Sequence, residues 1–288
     1  MNHKRILIKL GGASLGDIDV LLKLANCLEQ YRTLGYQVIL VHGGGPAINA
    51  ELTRRNISWN FVQGQRVTTP EMMDVIEMVL SGHINPKIVK YLNSRGLFSF
   101  GFSGVDGPTL LCSQAIPELG MVGVVNQVNS RWVEDILSMP NSPIPVIAPL
   151  GTNLKGESFN VNADWAAARL ASALKVQQMV FLTDQQGILD ARKIPIKDIS
   201  QGQLEQLIDD EVVTGGMYTK TLTILHALEN GVQSVRVMSA GDCVNALYND
   251  RIGTWCLNER TFQKIQNKNT QAFNTPTSQP EAVSHAAV

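Results

Sequence analysis

Two stretches near the start of the chain, "RILIKLGG" from Arg5 and "QVILVHGGG" from Gln37, constrain the fold more than any other feature. Each is a run of aliphatic and β-branched residues that ends in glycine and feeds a helix-like segment. A strand with one wet face alternates apolar and polar residues. A run without alternation has to be covered on both sides, as in a parallel sheet between helical layers. The segments that follow have the matching period. In "DIDVLLKLANCLEQYRTLG", Ile18, Leu21, Leu22, Ala25 and Leu28 fall at helical spacing, and Gly35 stands where a C-cap glycine belongs. "PAINAELTRRN" carries Pro46 in its first turn, Thr69-Pro70 opens "EMMDVIEMVLSG", and a further helix is expected from Pro86 to Arg95, closed by Gly96.

Between Phe98 and Val128 the pattern breaks into short strands and turns, expected to form an antiparallel insertion beside the main sheet. It then resumes with the strand "SPIPVIAPLG", the helix "NADWAAARLASAL" capped by Asn162, and the strand "QQMVFLTD". Helices over "SQGQLEQLIDDE" and "GGMYTKTLTILHALENG", a strand "SVRVMS" and a helix over "DCVNALYND" complete the pattern. The predicted class is therefore α/β, a three-layer αβα sandwich with a central, mostly parallel sheet and two lobes. The lobes are expected at 1–176 and 177–258, and the polar residues 261–288 as a disordered tail. The helix "EMMDVIEMVLSG", apolar on more than one face, fits either a core helix or a dimer contact.

Bulk properties remove several classes of function. With a formal net charge of -1 and mixed charges, there is no electrostatic case for nucleic acid or an anionic membrane. No apolar run approaches the roughly 20 residues that span a bilayer. The four cysteines form no C-x-x-C pair and the five histidines no H-x-x-x-H pair, so no metal ligand is predicted and reduced thiols in the cytoplasm are expected.

A glycine turn that feeds a helix lets main-chain N–H groups converge on an anion, and Gly43, Gly44 and Gly45 put no Cβ in the way. One such loop is often just a tight turn. Two on neighbouring strands, one beside Lys9, favour phosphate. "GASLG" (12–16) matches a nucleophile elbow and "HGGG" an esterase oxyanion loop, but in that fold the HGGG loop comes first, whereas here it comes second. No G-x-G-x-x-G stands in the first βα turn, and the Walker A pattern is absent.

Taken together, "IKLGG", "VHGGGPAIN", "QRVT", "SGVDG", "NVNAD", "LTDQQGIL" and "GGMYTK" resemble, in order and approximate spacing, the amino acid kinase superfamily and within it the N-acetylglutamate kinases. The resemblance runs from about Arg5 to Thr254. It implies ATP-dependent phosphorylation of the side-chain carboxylate of N-acetyl-L-glutamate in arginine biosynthesis, with Mg2+ on the nucleotide and a homodimer as the working form. By the same resemblance Lys9 and Lys220 contact the phosphoryl oxygens and Asp164 holds both lysines. Gly11 and Gly12 face the transferring group, while Gly44, Gly45, Arg66 and Asn160 bind the acceptor. Asp184, Gly187, Ile188, Leu189, Thr214 and Gly216 receive the nucleotide. A sibling kinase acting on another acidic acceptor, and a catalytically idle sensor, are the competing implications. The chain departs from the common pattern at Val105, Gln185, Thr219 and Pro86. Only about four residues precede the first strand, so arginine feedback is not expected.

Overall fold

The computed structural model describes residues 4–12, 17–62 and 64–273. Strands β1 (Lys4–Leu10) and β2 (Tyr36–His42) lie parallel, with Lys9 opposite Val41 and Leu10 opposite His42. Between them runs α1 (Ile18–Thr33), started by the Asp17 carboxylate, which accepts from Asp19 N–H, and followed by Gly35 at a φ of 83°. α2 (Gly45–Arg54) begins directly after β2, and a small hairpin follows, β3 (Phe61–Val62) with β4 (Gln65–Arg66). Thr69 caps α3 (Pro70–Glu77), which passes through a π-helical stretch at Met78–Ile84 into α4 (Asn85–Ser94). Pro86 accounts for that widening. In an unbroken α-helix its ring would clash with the carbonyl one turn back, whereas the wider turn accommodates it.

β5 (Ser99–Ser103), β6 (Leu110–Gln114), β7 (Gly123–Val128), α5 (Arg131–Ser138), β8 (Ile144–Ala148), β9 (Leu150–Thr152), β10 (Ser158–Asn160) and α6 (Ala163–Ala173) complete the first part. The rest comprises β11 (Gln178–Thr183), β12 (Asp198–Ser200), α7 (Gln201–Asp209), α8 (Gly215–Glu229), β13 (Ser234–Ser239), β14 (Thr254–Leu257) and α9 (Glu259–Phe273). Eight strands form one sheet in the order β12-β14-β13-β11-β1-β2-β8-β5, parallel except where β13 meets β14. A second sheet, β10-β9-β6-β7, flanks it.

The uninterrupted apolar strands are buried on both faces. Ile6, Ile8 and Leu10 pack with Leu24, Leu52, Ile76 and Leu92 on one side of the sheet. Leu7, Ile39, Val41 and Phe181 pack with Ala167, Leu170, Ile224 and Leu228 on the other. Met72, Met73, Val75, Ile76, Val79 and Leu80 of the two-faced helical segment are all buried, so it is a core helix that leaves Met78 exposed.

Four expectations need correction. β5 is not part of the insertion: it pairs in parallel with β8 at the edge of the main sheet. As an edge strand with Phe98 and Phe100 exposed, it lacks the apolar run of its neighbours. "DCVNALYND" forms two short 3-10 turns, Ala240–Asp242 and Asn245–Leu247, instead of a helix. The Arg236 guanidinium donates to the carbonyls of Ala246, Asn249 and Ile252 and curls that segment around itself. α5 was not foreseen. Finally, the expected irregular tail is helical through Phe273, since Asn258 Oδ1 accepts from Thr261 N–H and half-buried Phe262 and Ile265 sit three residues apart. The remainder of that tail, 274–288, lies outside the described residues, as do 13–16 of the "GASLG" stretch.

Burial of β2 on both faces has a direct consequence. Ile39→Ala and Leu40→Ala point to opposite cores and should each destabilise by about 2–5 kcal/mol, while Val124→Ala on an exposed position of β7 should stay within about 0.5 kcal/mol. Urea unfolding of the three variants checks this, and a small loss at either core position would contradict two-sided cover.

Candidate active site

The C-terminal ends of β1, β2 and β11 lie side by side at one edge of the sheet, and the N-termini of α2, α6 and α8 gather there. Lys9 is the penultimate residue of β1, on the same face as Leu7, so it projects into the layer that holds α6 and α8. Asp164 stands in the first turn of α6, whose cap is Asn162: the amide oxygen accepts from the N–H groups of Asp164 and Trp165. Lys220 lies on the inner face of α8.

These three side chains meet. Lys9 Nζ is 2.7 Å from Asp164 Oδ1, an ion contact at an angle too oblique for a hydrogen bond, and Lys220 Nζ donates to Asp164 Oδ2 at 2.8 Å. All three residues are buried. Burial by itself would raise the Asp164 pKa, but the charges of Lys9 and Lys220 and the hydrogen bond from Lys220 outweigh it and hold the carboxyl at about 2. Burial is also the main influence on Lys220, pushing its pKa below the usual lysine value against the pull of Asp164. Its ammonium sits 4.6 Å above the centroid of the Phe181 ring. With Asp164 ionised between two ammonium groups, the cluster retains a net positive charge.

Two cavities share this cluster. One, of about 280 Å³, is lined by Lys9, Gly12, Gly44, Gly45, Arg66, Asn160 and Asp164. The other, of about 450 Å³, is lined by Asp164, Asp184, Gly187, Leu189, Thr214, Gly216 and Lys220. The first has a built-in anion receptor. Arg66 is buried against the rings of Trp59 and Phe61, which meet edge to face, its guanidinium carbon 5.1 and 4.8 Å from their centroids. Its Nη2 donates to Asn49 Oδ1, while among the described residues the buried Nη1 has no acceptor. A buried guanidinium nitrogen without a partner suits a ligand carboxylate. Asn160 Nδ2 donates to Thr68 Oγ1 at 3.0 Å, and that hydroxyl donates to Arg66 O, so Asn160 and Arg66 are joined through Thr68.

The glycines divide by role. A Cβ on Gly12 would come within 2.8 Å of Gly44 N and 2.9 Å of Gly45 N, so only glycine lets the two loops close on each other. Gly44 is crowded from behind by Leu80 and Ile84, whereas Gly45 opens into the cavity. Gly11 donates its N–H to Leu182 O at 2.9 Å and lines neither cavity. Ile188 also differs from expectation. Its side chain is fully buried in the second core and its N–H donates to Thr254 Oγ1, leaving Gly187 and Leu189 on the cavity wall. Asn49, Trp59, Phe61, Thr68, Thr183 and Lys193 were not anticipated. Thr68 inside "QRVT", Asn49 at the end of "VHGGGPAIN" and Thr183 in "LTDQQGIL" carried a local signal, whereas Trp59, Phe61 and Lys193 carried none.

An acceptor-sized cavity with an anion receptor, a second cavity at two helix N-termini, and a lysine in each held by the Asp164 they share define a protein that moves a phosphoryl group between two small molecules. The chain belongs to the amino acid kinase family, whose model matches residues 4–239. Acetylglutamate kinase from Ruegeria pomeroyi is 40% identical over 233 residues, covering 81% of this chain and 80% of that one. The acetylglutamate kinase of Trichlorobacter lovleyi is 39% identical over 245 residues, 82% of this chain and 84% of its own. Among solved structures, a Streptococcus mutans protein superposes with a TM-score of 0.76 at 26% identity, over 88% of this chain and 98% of that chain. Giardia carbamate kinase shares the fold, with a TM-score of 0.69 at 18% identity over 90% of this chain and the whole of the other.

The Asp164 ion cluster should be visible in stability. Its folded pKa lies below that of an unfolded aspartate, so its contribution is present above about pH 4 and is lost as pH falls towards 2. The wild type should exceed Asp164→Asn by about 2 kcal/mol at neutral pH, with the gap closing near pH 2. Urea unfolding between pH 2 and 7 measures it; a constant gap would contradict an ionised, lysine-held Asp164.

Proposed function

We propose that this protein transfers the γ-phosphoryl group of ATP to the side-chain carboxylate of N-acetyl-L-glutamate, giving N-acetyl-L-glutamyl 5-phosphate and ADP in arginine biosynthesis. One observation carries the assignment: Lys9 and Lys220, from opposite halves of the chain, converge on Asp164 where the two cavities meet. An anionic nucleophile approaching an anionic phosphoryl group needs positioning and charge neutralisation more than covalent help. Lys9 on the acceptor side and Lys220 on the donor side supply the positive charge, and Asp164 keeps the two from repelling each other. A base is unnecessary, because the acceptor carboxylate is already ionised at neutral pH.

Arg66, whose Nη1 has no acceptor among the described residues, is assigned to the acceptor's α-carboxylate beside Asn160, and the amides of Gly44 and Gly45 to the acceptor's reacting carboxylate. The donor cavity is assigned to ATP, with Thr214 and Gly216 at the start of α8, Asp184, Gly187 and Leu189 around it. Its fit to a polyphosphate rests on Lys220 and the open amides at that helix start. Mg2+ bound with ATP would neutralise phosphate charge, and Asp184 is the carboxylate of this cavity not held by a lysine. The working form is proposed to be a cytoplasmic homodimer, an assignment supported by Phe98 and Phe100 standing exposed at the sheet edge. Among the described residues no helix is long and apolar enough to cross a membrane.

Hydroxylamine trapping of the acyl phosphate tests the assignment, using ATP, Mg2+ and a panel of acidic amino acids with their N-acetyl forms. N-acetyl-L-glutamate should give the strongest signal. A preference for another acceptor would replace the assignment with a sibling kinase, and no signal with any acceptor would favour the idle sensor. Lys9→Met and Lys220→Met should each lower kcat by about 10²–10³-fold. Arg66→Lys, which lacks the planar fork, should raise KM for the acceptor by about tenfold and leave KM for ATP unchanged.

A further inference from the structure

His42 and Asn85 lie outside both cavities, yet they contact each other directly behind the glycine loop. Resting on the phosphotransfer assignment above, we infer that they are positioning residues, which lock the Gly43–Gly44 peptide so that Gly44 N–H faces the site of transfer.

The geometry assigns the orientation of the Asn85 amide and the tautomer of His42. His42 ends β2 and is completely buried. Asn85, the first residue of α4, is brought inward by the π-helical stretch before it, and Gly101 leaves room for it: a Cβ there would lie 2.0 Å from Asn85 Oδ1. Asn85 Nδ2 is 2.9 Å from Val146 O and 3.3 Å from Phe102 O. Two main-chain carbonyls can be met only by a donor, so the nitrogen, not the oxygen, occupies that position. The same nitrogen is 3.2 Å from His42 Nε2; its two protons serve Val146 O and, shared, Phe102 O and Nε2, and because an amide nitrogen cannot accept, Nε2 is the acceptor. The ring proton then resides on Nδ1, and Nδ1 donates to Gly43 O at 3.0 Å. Burial, with a smaller contribution from the Lys9 charge, lowers the His42 pKa to about 4, so the ring carries this single proton at neutral pH.

Gly43 C=O and Gly44 N–H are opposite ends of one trans peptide. Holding the carbonyl against His42 turns the N–H the other way, towards Gly12 and the acceptor cavity. Among the described residues no oxygen accepts from Gly44 N–H, which leaves it available to an anion. The pair thus acts through the loop without touching a reactant.

Asparagine and glutamine at position 42 separate this role from simple core packing. An asparagine amide nitrogen can stand where Nδ1 does, and a glutamine amide where Nε2 does. His42→Gln keeps the Asn85 contact and loses the Gly43 bond; its kcat should fall about 10- to 100-fold with KM for ATP unchanged. His42→Asn should recover about a tenfold higher kcat than His42→Gln, although both variants lose thermal stability. Loss of kcat in step with Tm in both variants would overturn the proposal. A turnover-free arm uses ¹⁵N-histidine NMR of the full chain. Wild type should show protonated Nδ1 and unprotonated Nε2, and Asn85→Leu should release that tautomer preference; protonated Nε2 in the wild type would overturn the proposal. If the wild type fails to phosphorylate N-acetyl-L-glutamate, the acceptor assignment falls, and the Gly44 amide shift on adding inorganic phosphate decides this proposal instead. A shift kept in His42→Asn and lost in His42→Gln supports it, and equal shifts overturn it.

Discussion

One carboxylate holding two ammonium groups is the interaction on which the rest of this molecule depends. Two lysines placed side by side in a dry pocket would repel and would lose charge to burial. Asp164 makes the pair tolerable and sets its spacing, while leaving one positive charge uncompensated. Residual charge of that sign in a water-poor site favours an anion, and most of all one whose charge is concentrated during transfer. The architecture follows from the need to bring the three groups together. Lys9 needs the end of a strand, Asp164 the start of a helix, and Lys220 the inner face of another helix.

The glycine loops serve the same cluster by proximity. Gly12 approaches Gly44 and Gly45 so closely that any side chain would force them apart. Behind Gly44, Leu80 and Ile84 of the π-helical stretch press on the loop, and His42 holds its neighbouring carbonyl. The loop is therefore supported by packing on one side and hydrogen bonding on the other. A loop that must present amides to a phosphoryl group at fixed distance benefits from such rigidity, because small errors in placement are costly in rate.

The strands and most helices were legible because the signals for them are local. Uninterrupted apolar runs at β1, β2, β8 and β11, helix starts at Thr69 and Asn162, and stop glycines at 35 and 96 all act within a few residues. The misses share a cause: long-range partners decided them. β5 owes its place in the main sheet to β8, the two 3-10 turns owe theirs to Arg236, and α9 docks through half-buried Phe262 and Ile265. In the site, Ile188 sits beside cavity-lining residues but turns into the core, since alternate positions along an extended segment face opposite ways.

Sequence by itself determined the α/β class, the two glycine loops, and the identity of the charged residues, since residue type, periodicity and motif order are properties of the chain. Only the tertiary structure decided that Lys9 and Lys220, more than two hundred positions apart, contact the same carboxylate, and that Arg66 lies against two rings with one nitrogen unpartnered among the described residues. It alone also decided the protonation pattern running from Asn85 through His42 to Gly43. The reason is physical: distance, burial and hydrogen-bond direction depend on which elements pack together, and no short stretch of sequence contains that information.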